Sequence, residues 1–245
     1  MFRALLLWSY WLSMGVQVAV ADPLRAGDQS LSVLARSYLT IPYRTDGATD
    51  MRGRYVTFGK PTAALSGPGF NCSGFVVDFA RKALGKPLPL AAVTVDREND
   101  SGPGARWGED WDFGRDLILN VTEGRAREFI GPAGEPGIDG FPIVGFNLHD
   151  KTIWRSVFAQ LETGKIYFAS LSKPWYATKP YRLIHYHVAV ILKESANRIW
   201  LYHATRRSRV HRYNLASAEG MARFDYQFAR SMFGNKHILL IGVAP

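Results

Sequence analysis

Apolar positions recur at helical spacing in three stretches of the chain. Leu31, Leu34, Ala35 and Tyr38 predict a helix over residues 28–40, with Asp28 or Ser30 as its N-cap. Phe75, Val76, Phe79 and Ala83 fall on one face of a second helix at about 72–84. It is entered through the turn-rich Gly67-Pro68-Gly69-Phe70-Asn71 and stopped by Gly85. Ile153, Trp154, Val157, Phe158 and Leu161 predict a third helix over 153–162. From Lys165 the pattern changes to β-branched and aromatic runs at 166–169, 186–192, 199–203 and 238–243. These predict strands, with Glu194-Ser195-Ala196-Asn197 as a hairpin connection. Two stretches fit neither period. Residues 45–69 are polar and contain glycine, which predicts a long loop. Residues 95–150 hold Gly, Pro, Asp and two tryptophans, Trp107 and Trp111, and predict an insertion or lid packed on the main domain. A helix-rich first half followed by an antiparallel sheet predicts an α+β fold.

The first residues obey neither period. Arg3 is followed by apolar residues as far as Val20 without a polar helical face, and Ala19-Val20-Ala21 precedes Asp22-Pro23. This predicts a signal peptide over 1–21 and an exported protein, periplasmic or extracellular, with one domain over 22–245. No cysteine follows that cleavage site, so lipid attachment there is excluded. At 245 residues, 47% hydrophobic and 21% charged, the chain buries a real core, which excludes collagen-like, disordered and coiled-coil classes. The net charge of +9 is concentrated late: residues 171–245 carry 12 Lys or Arg against 3 Asp or Glu. Such a surface suits an anionic partner, and export favours a wall or membrane surface over nucleic acid. A monomer is expected.

The chain has a single cysteine, which excludes an internal disulfide and a cysteine zinc cage. A lone thiol kept in an oxidising compartment risks mispairing between molecules, so a chemical task is the better reading of Cys72. It opens a helix behind a glycine-rich turn, where free N–H groups and the helix dipole favour a thiolate. A nucleophile of this kind needs a base, and the base an orienting partner. His187 begins an apolar strand; Ala189 shares its face and is small enough to let the strand approach a helix. His185 falls on that same face by alternation. His203 ends the next strand and faces His187 across the hairpin, with His211 and His237 as substitutes. Ser73 serves as a donor to substrate or as a first-turn cap. His149, Asp46 and Asp50 form no metal-ligand pattern, so neither metal nor cofactor is expected.

Local motifs sharpen this constellation. Asn71-Cys72-Ser73-Gly74-Phe75-Val76 resembles the cysteine motif of NlpC-type cell-wall cysteine peptidases, members of the papain-like superfamily. His187-Val188-Ala189-Val190 is similar to their histidine strand, and Leu161-Glu162-Thr163-Gly164-Lys165-Ile166 to the turn that enters the sheet before it. Ile41-Pro42-Tyr43 resembles the Pro-Tyr segment ahead of the cysteine, and Tyr202-His203-Ala204 fits the third polar position. The likeness covers roughly residues 30–90 and 160–205. It implies a papain-like fold with catalytic Cys72, general base His187 and orienting His203, and substrate contacts from Asn71, Ser73 and Tyr43. It further implies hydrolysis of amide bonds in peptidoglycan stem peptides, commonly between D-glutamate and the diamino acid. Many relatives carry Asp before the cysteine, where it holds the free amine of the stem peptide. Asn71 removes that ion pair, as in some amidase effectors of type VI secretion. The same fold used as an acyl or amide transferase, or as a silent wall binder, is the alternative.

Overall fold

Two buried faces on one sheet explain the uninterrupted apolar runs of the second half of the chain. The structure, a computed structural model, describes residues 26–98, 111–132, 134, 137, 140–175, 183–206 and 208–245. The signal peptide expected over 1–21 and Trp107 lie outside the described residues. Helices α1 (Ala26–Ser37), α2 (Cys72–Ala83), α3 (Leu90–Val93) and α4 (Phe113–Val121) precede α5 (Lys151–Gln160) and α6 (Ala218–Gln227). A small antiparallel sheet is formed by β1 (Gly47–Thr49), β2 (Tyr55–Thr57) and β3 (Lys60–Ala64). The main sheet contains β4 (Arg127–Phe129), β5 (Phe146–Asn147), β6 (Ile166–Pro174), β7 (Leu183–Ser195), β8 (Arg198–Ala204), β9 (Val210–Asn214) and β10 (His237–Val243). Its order is β4-β10-β6-β7-β8-β9, with β5 also on β10, and every pairing is antiparallel. The class is therefore mixed α+β.

Alternation along the central strands sorts the core into two clusters. Val188, Val190, Phe168 and Leu239 pack with Phe75 and Phe79 of α2 and with Leu117 and Ile118 of α4. Ala189, Ile191, Tyr167 and Leu240 pack with Trp154 and Val157 of α5 and with Phe224 and Phe228. The sheet is thus covered by helices on both faces, which is why β6 and β7 lack the hydrophobic-polar alternation of a half-exposed strand. Ala189 lies in the α5–α6 cluster, so it is not the small residue that admits α2.

Several expectations are corrected here. Asp28 and Ser30 lie inside α1, which starts at Ala26, and so do not cap it. The stretch 45–69 is not one loop but carries the three short strands of the small sheet. In 95–150, α4 enters the core and β4 and β5 extend the main sheet along β10. Trp111 is buried against His185. The greatest consequence comes from β7. Leu171 pairs with His187 and Ser172 with His185, so Tyr186 is an extra residue, a β-bulge. The bulge breaks the alternation that puts His185 and His187 on one face. His185 instead bonds the Ser170 hydroxyl through Nδ1 at 2.9 Å, beside Gly114 of α4.

Candidate functional site

Asn71 sets the entry of α2. Its backbone is extended, and its side-chain oxygen accepts from the Gly74 N–H at 2.7 Å, an N-cap bond. The capping duty expected of Ser73 thus belongs to Asn71. Gly74 is required by packing: a Cβ there would lie 2.1 Å from the Gly47 carbonyl oxygen. Further along, Asp78 is buried and accepts from the Tyr38 hydroxyl at 2.7 Å and pairs with Lys82 at 2.7 Å. Burial alone would raise its pKa, but these donors hold the carboxyl below its ordinary value. Helix α2 is therefore tied to α1 and to the small sheet, and its first residue is held in a fixed place.

That first residue is Cys72. It keeps part of its surface accessible, with Ser73 Oγ 4.0 Å from the sulfur. The backbone N–H of Val188 donates to the thiol, and the N–H groups of Ser73 and Cys72 add to it. These donors favour the thiolate, as expected of a helix N-terminus, but desolvation outweighs them and pushes the Cys72 pKa up. Tyr43 lies beside the same thiol. Its segment pairs with Phe70, and burial first and the charge of a Cys72 thiolate second raise its phenol pKa. Of the expected site residues, then, Asn71, Ser73 and Tyr43 all gather at Cys72.

His187 immediately precedes the residue whose N–H reaches the thiol. Its Nε2 is 3.0 Å from Nδ1 of His203, the pairing expected between the two strands. Both rings lie against Phe228, at 5.3 Å and 5.5 Å between centroids. Burial depresses both pKa values, with His211 adding to the effect on His187, so the pair is neutral at neutral pH. Cys72 packs with the α2 cluster, whereas the two imidazoles face the α5–α6 cluster. No hydrogen bond joins the Cys72 sulfur to His187 among the described residues.

His211 does not replace His203 but stands behind it, with ring centroids 4.2 Å apart. Its Nδ1 is 2.9 Å from the Arg209 carbonyl oxygen, which can only accept, so Nδ1 carries the proton. Burial lowers its pKa, leaving a neutral ring whose Nε2 accepts from the Tyr213 hydroxyl at 3.0 Å. His237 pairs in register with Ser172 and Asn147 at the start of β10, and among the described residues it makes no hydrogen bond to His187. His185 is held near pKa 3, by burial first and the Arg115 charge second, and belongs to the α4 side. Asp46 accepts from the Gly59 N–H and Asp50 pairs with Arg54, so both have structural duties. Among the described residues no cluster of His, Cys, Asp and Glu suits a metal ion, and no helix is long and apolar enough to cross a membrane.

Sequence reasoning missed Tyr186. Among the described residues its buried hydroxyl has no hydrogen-bond partner, and burial first and the charge of a Cys72 thiolate second raise its pKa. The bulge that puts it there leaves no signature in an apolar strand.

No family model matches the chain, and no curated protein matches it. Among solved structures, it is similar to a crystal structure of a protein from Legionella pneumophila str. Philadelphia 1 of the family DUF1460. The TM-score is 0.50 at 13% identity, over 89% of each chain. At that identity the likeness concerns the fold.

Proposed function

We propose that this chain is an exported, papain-like cysteine hydrolase that cleaves amide bonds in peptidoglycan stem peptides. One observation carries the reading: the thiol of Cys72, at the start of α2, bonds the N–H of Val188, next in the chain to His187, whose Nε2 meets His203. A helix-borne thiol and a strand-borne imidazole with its partner thus attach to adjacent residues of β7, Val188 and His187.

With Nε2 engaged by His203, Nδ1 of His187 is the nitrogen left to take the thiol proton. In the working tautomer His187 Nε2–H donates to His203 Nδ1, which fixes the ring. The thiolate attacks the amide carbonyl, forming the C–S bond, and the N–H groups at the start of α2 are aimed at the developing oxyanion. The imidazolium then gives its proton to the departing amine as the C–N bond breaks. Water, deprotonated by His187, releases the acyl group from Cys72 and restores the thiol. At rest the imidazole pair is neutral and faces the α5–α6 cluster, so this step requires His187 to reach the Cys72 sulfur when substrate is bound.

The D-glutamyl–diamino acid bond is the expected target. Asn71, committed to the helix cap and uncharged, offers no ion pair to a free amine, so the enzyme should accept stem peptides with a blocked N-terminus. Digestion of defined muropeptides followed by mass spectrometry tests the reading. New fragments made by the native protein and not by Cys72→Ala support it. Equal fragments from both proteins would remove Cys72 from the mechanism.

A further inference from the structure

Three neighbouring strands bring two lysines together beside the candidate site. Lys173 lies near the end of β6, Lys236 immediately before β10, and Tyr186 is the bulged residue of β7. The Lys173 ammonium is 4.9 Å from the centroid of the Tyr186 ring and that of Lys236 is 5.6 Å from it. Both lysines are half-buried. Elsewhere among the described residues half-buried lysines are compensated: Lys165 pairs with Glu128 and Glu162, and Lys193 donates to two carbonyls. Among the described residues, neither Lys173 nor Lys236 has a carboxylate partner or a side-chain hydrogen bond.

The ring they share leads to the thiol. A Cys72 thiolate contributes to the raised pKa of the Tyr186 phenol, and among the described residues that phenol donates to no partner. Burial first and the Lys173 charge second lower the pKa of Lys236, so two like charges are held together at a cost to the fold. Cation–π contact with one ring offsets part of this. Converging, uncompensated, partly desolvated cations with a spare hydroxyl donor beside them are complementary to an anion.

We propose that Lys173, Lys236 and the Tyr186 hydroxyl form a subsite for a carboxylate of the substrate, set next to the amide bond presented to Cys72. The proposal rests on the hydrolase reading for its substrate, but not for its anion. It narrows the substrate to acidic peptides whose free carboxylate flanks the scissile bond. Amidation of that carboxylate removes both the charge and the acceptor pair.

Two measurements on the full chain test it. In the first, the Cys72→Ala protein is titrated calorimetrically with a γ-D-glutamyl–diamino acid peptide and with the same peptide carrying amidated carboxylates. The free acid should bind about tenfold tighter or more, and Lys173→Gln or Lys236→Gln should each reduce that preference. The same two variants should hold or raise thermal stability, since each removes an unpaired, half-buried charge. In the second, 13C-methylated lysines are followed by NMR during titration with glutarate, a simple dicarboxylate. Saturable shifts confined to the Lys173 and Lys236 resonances support the subsite even if no peptide is ever cut, in which case the hydrolase reading alone fails. Equal binding of both peptides with cleavage intact would overturn the subsite and leave the hydrolase. Glutarate shifts no larger than those of exposed Lys60, or a loss of stability in both variants, would likewise overturn it.

Discussion

His203 accepts a distinct role from each of its neighbours. Its Nδ1 meets His187, its ring packs at a tilt against His211, and among the described residues its buried Nε2 has no partner. A residue that orients the base is replaceable by another hydrogen-bonding group more readily than by none. His203→Ala should therefore lower kcat/KM by about 100-fold, and His203→Asn by clearly less, with both proteins folded; equal loss in the two would deny the orienting role. The protonation states also set a pH profile. The Cys72 thiol is raised and the His187 imidazole depressed, so below neutrality the base is already free and the thiol is still protonated. Activity should climb from about pH 7 into the alkaline range. A plateau already reached at pH 6 would mean that the thiolate preexists. At this scale the place of Cys72 at the start of α2 and the contact between His187 and His203 were legible, because a glycine-rich lead-in marks the helix start and the two histidines fall on neighbouring strands of one hairpin. Tyr186, Lys173 and Lys236 were not legible: only the strand bulge and the register of β6, β7 and β10 bring them together.

Elements with long, strongly patterned cores were readable and short ones were not. The helices at 72–84 and 153–162 and the strands from 166 onward appear within a few residues of their expected limits. β9 was missed because Val210 is its only fully buried residue, and α6 because only Gly220 and Phe224 are buried along its length. α4 hides in a stretch read as an insertion, since Asp112, Arg115 and Asp116 are buried polar groups that mask its apolar face. Placement of α2 has its own test. Gly74→Ala would drive a methyl group into the Gly47 carbonyl and the Ala48 backbone. It should cost about 1–3 kcal/mol of stability and reduce turnover beyond that loss, by displacing Cys72 from Val188. Urea denaturation together with kinetics on the folded fraction reads both effects, and an unchanged midpoint would contradict the close approach.

The whole molecule is built with its histidines neutral. All six have depressed pKa values, burial being the first cause in each, and His185, His187 and His203 are the most enclosed. A depressed histidine binds its proton more readily in the unfolded chain. Its contribution to stability is thus complete above about pH 6.5 and is lost as pH falls toward the folded value. Each fully depressed group steepens the loss by about 1.4 kcal/mol per pH unit. Asp78, whose pKa is lowered by its partners, adds a further loss at more acidic pH. The urea midpoint should therefore fall steadily from pH 7 to pH 4, and a midpoint independent of pH over that interval would show that the rings are already accessible to protons.

In the proposed mechanism the Cys72 sulfur becomes acylated by a peptide carbonyl. Acid-quenching the protein during turnover of a defined muropeptide, and measuring its intact mass and that of its proteolytic fragments, tests this directly. The expected result is a transient mass increase equal to the acyl half of the cleaved peptide, carried by the fragment containing Cys72 and absent in Cys72→Ala. Cleavage with no adduct at any quench time, or an adduct on another residue, would contradict it.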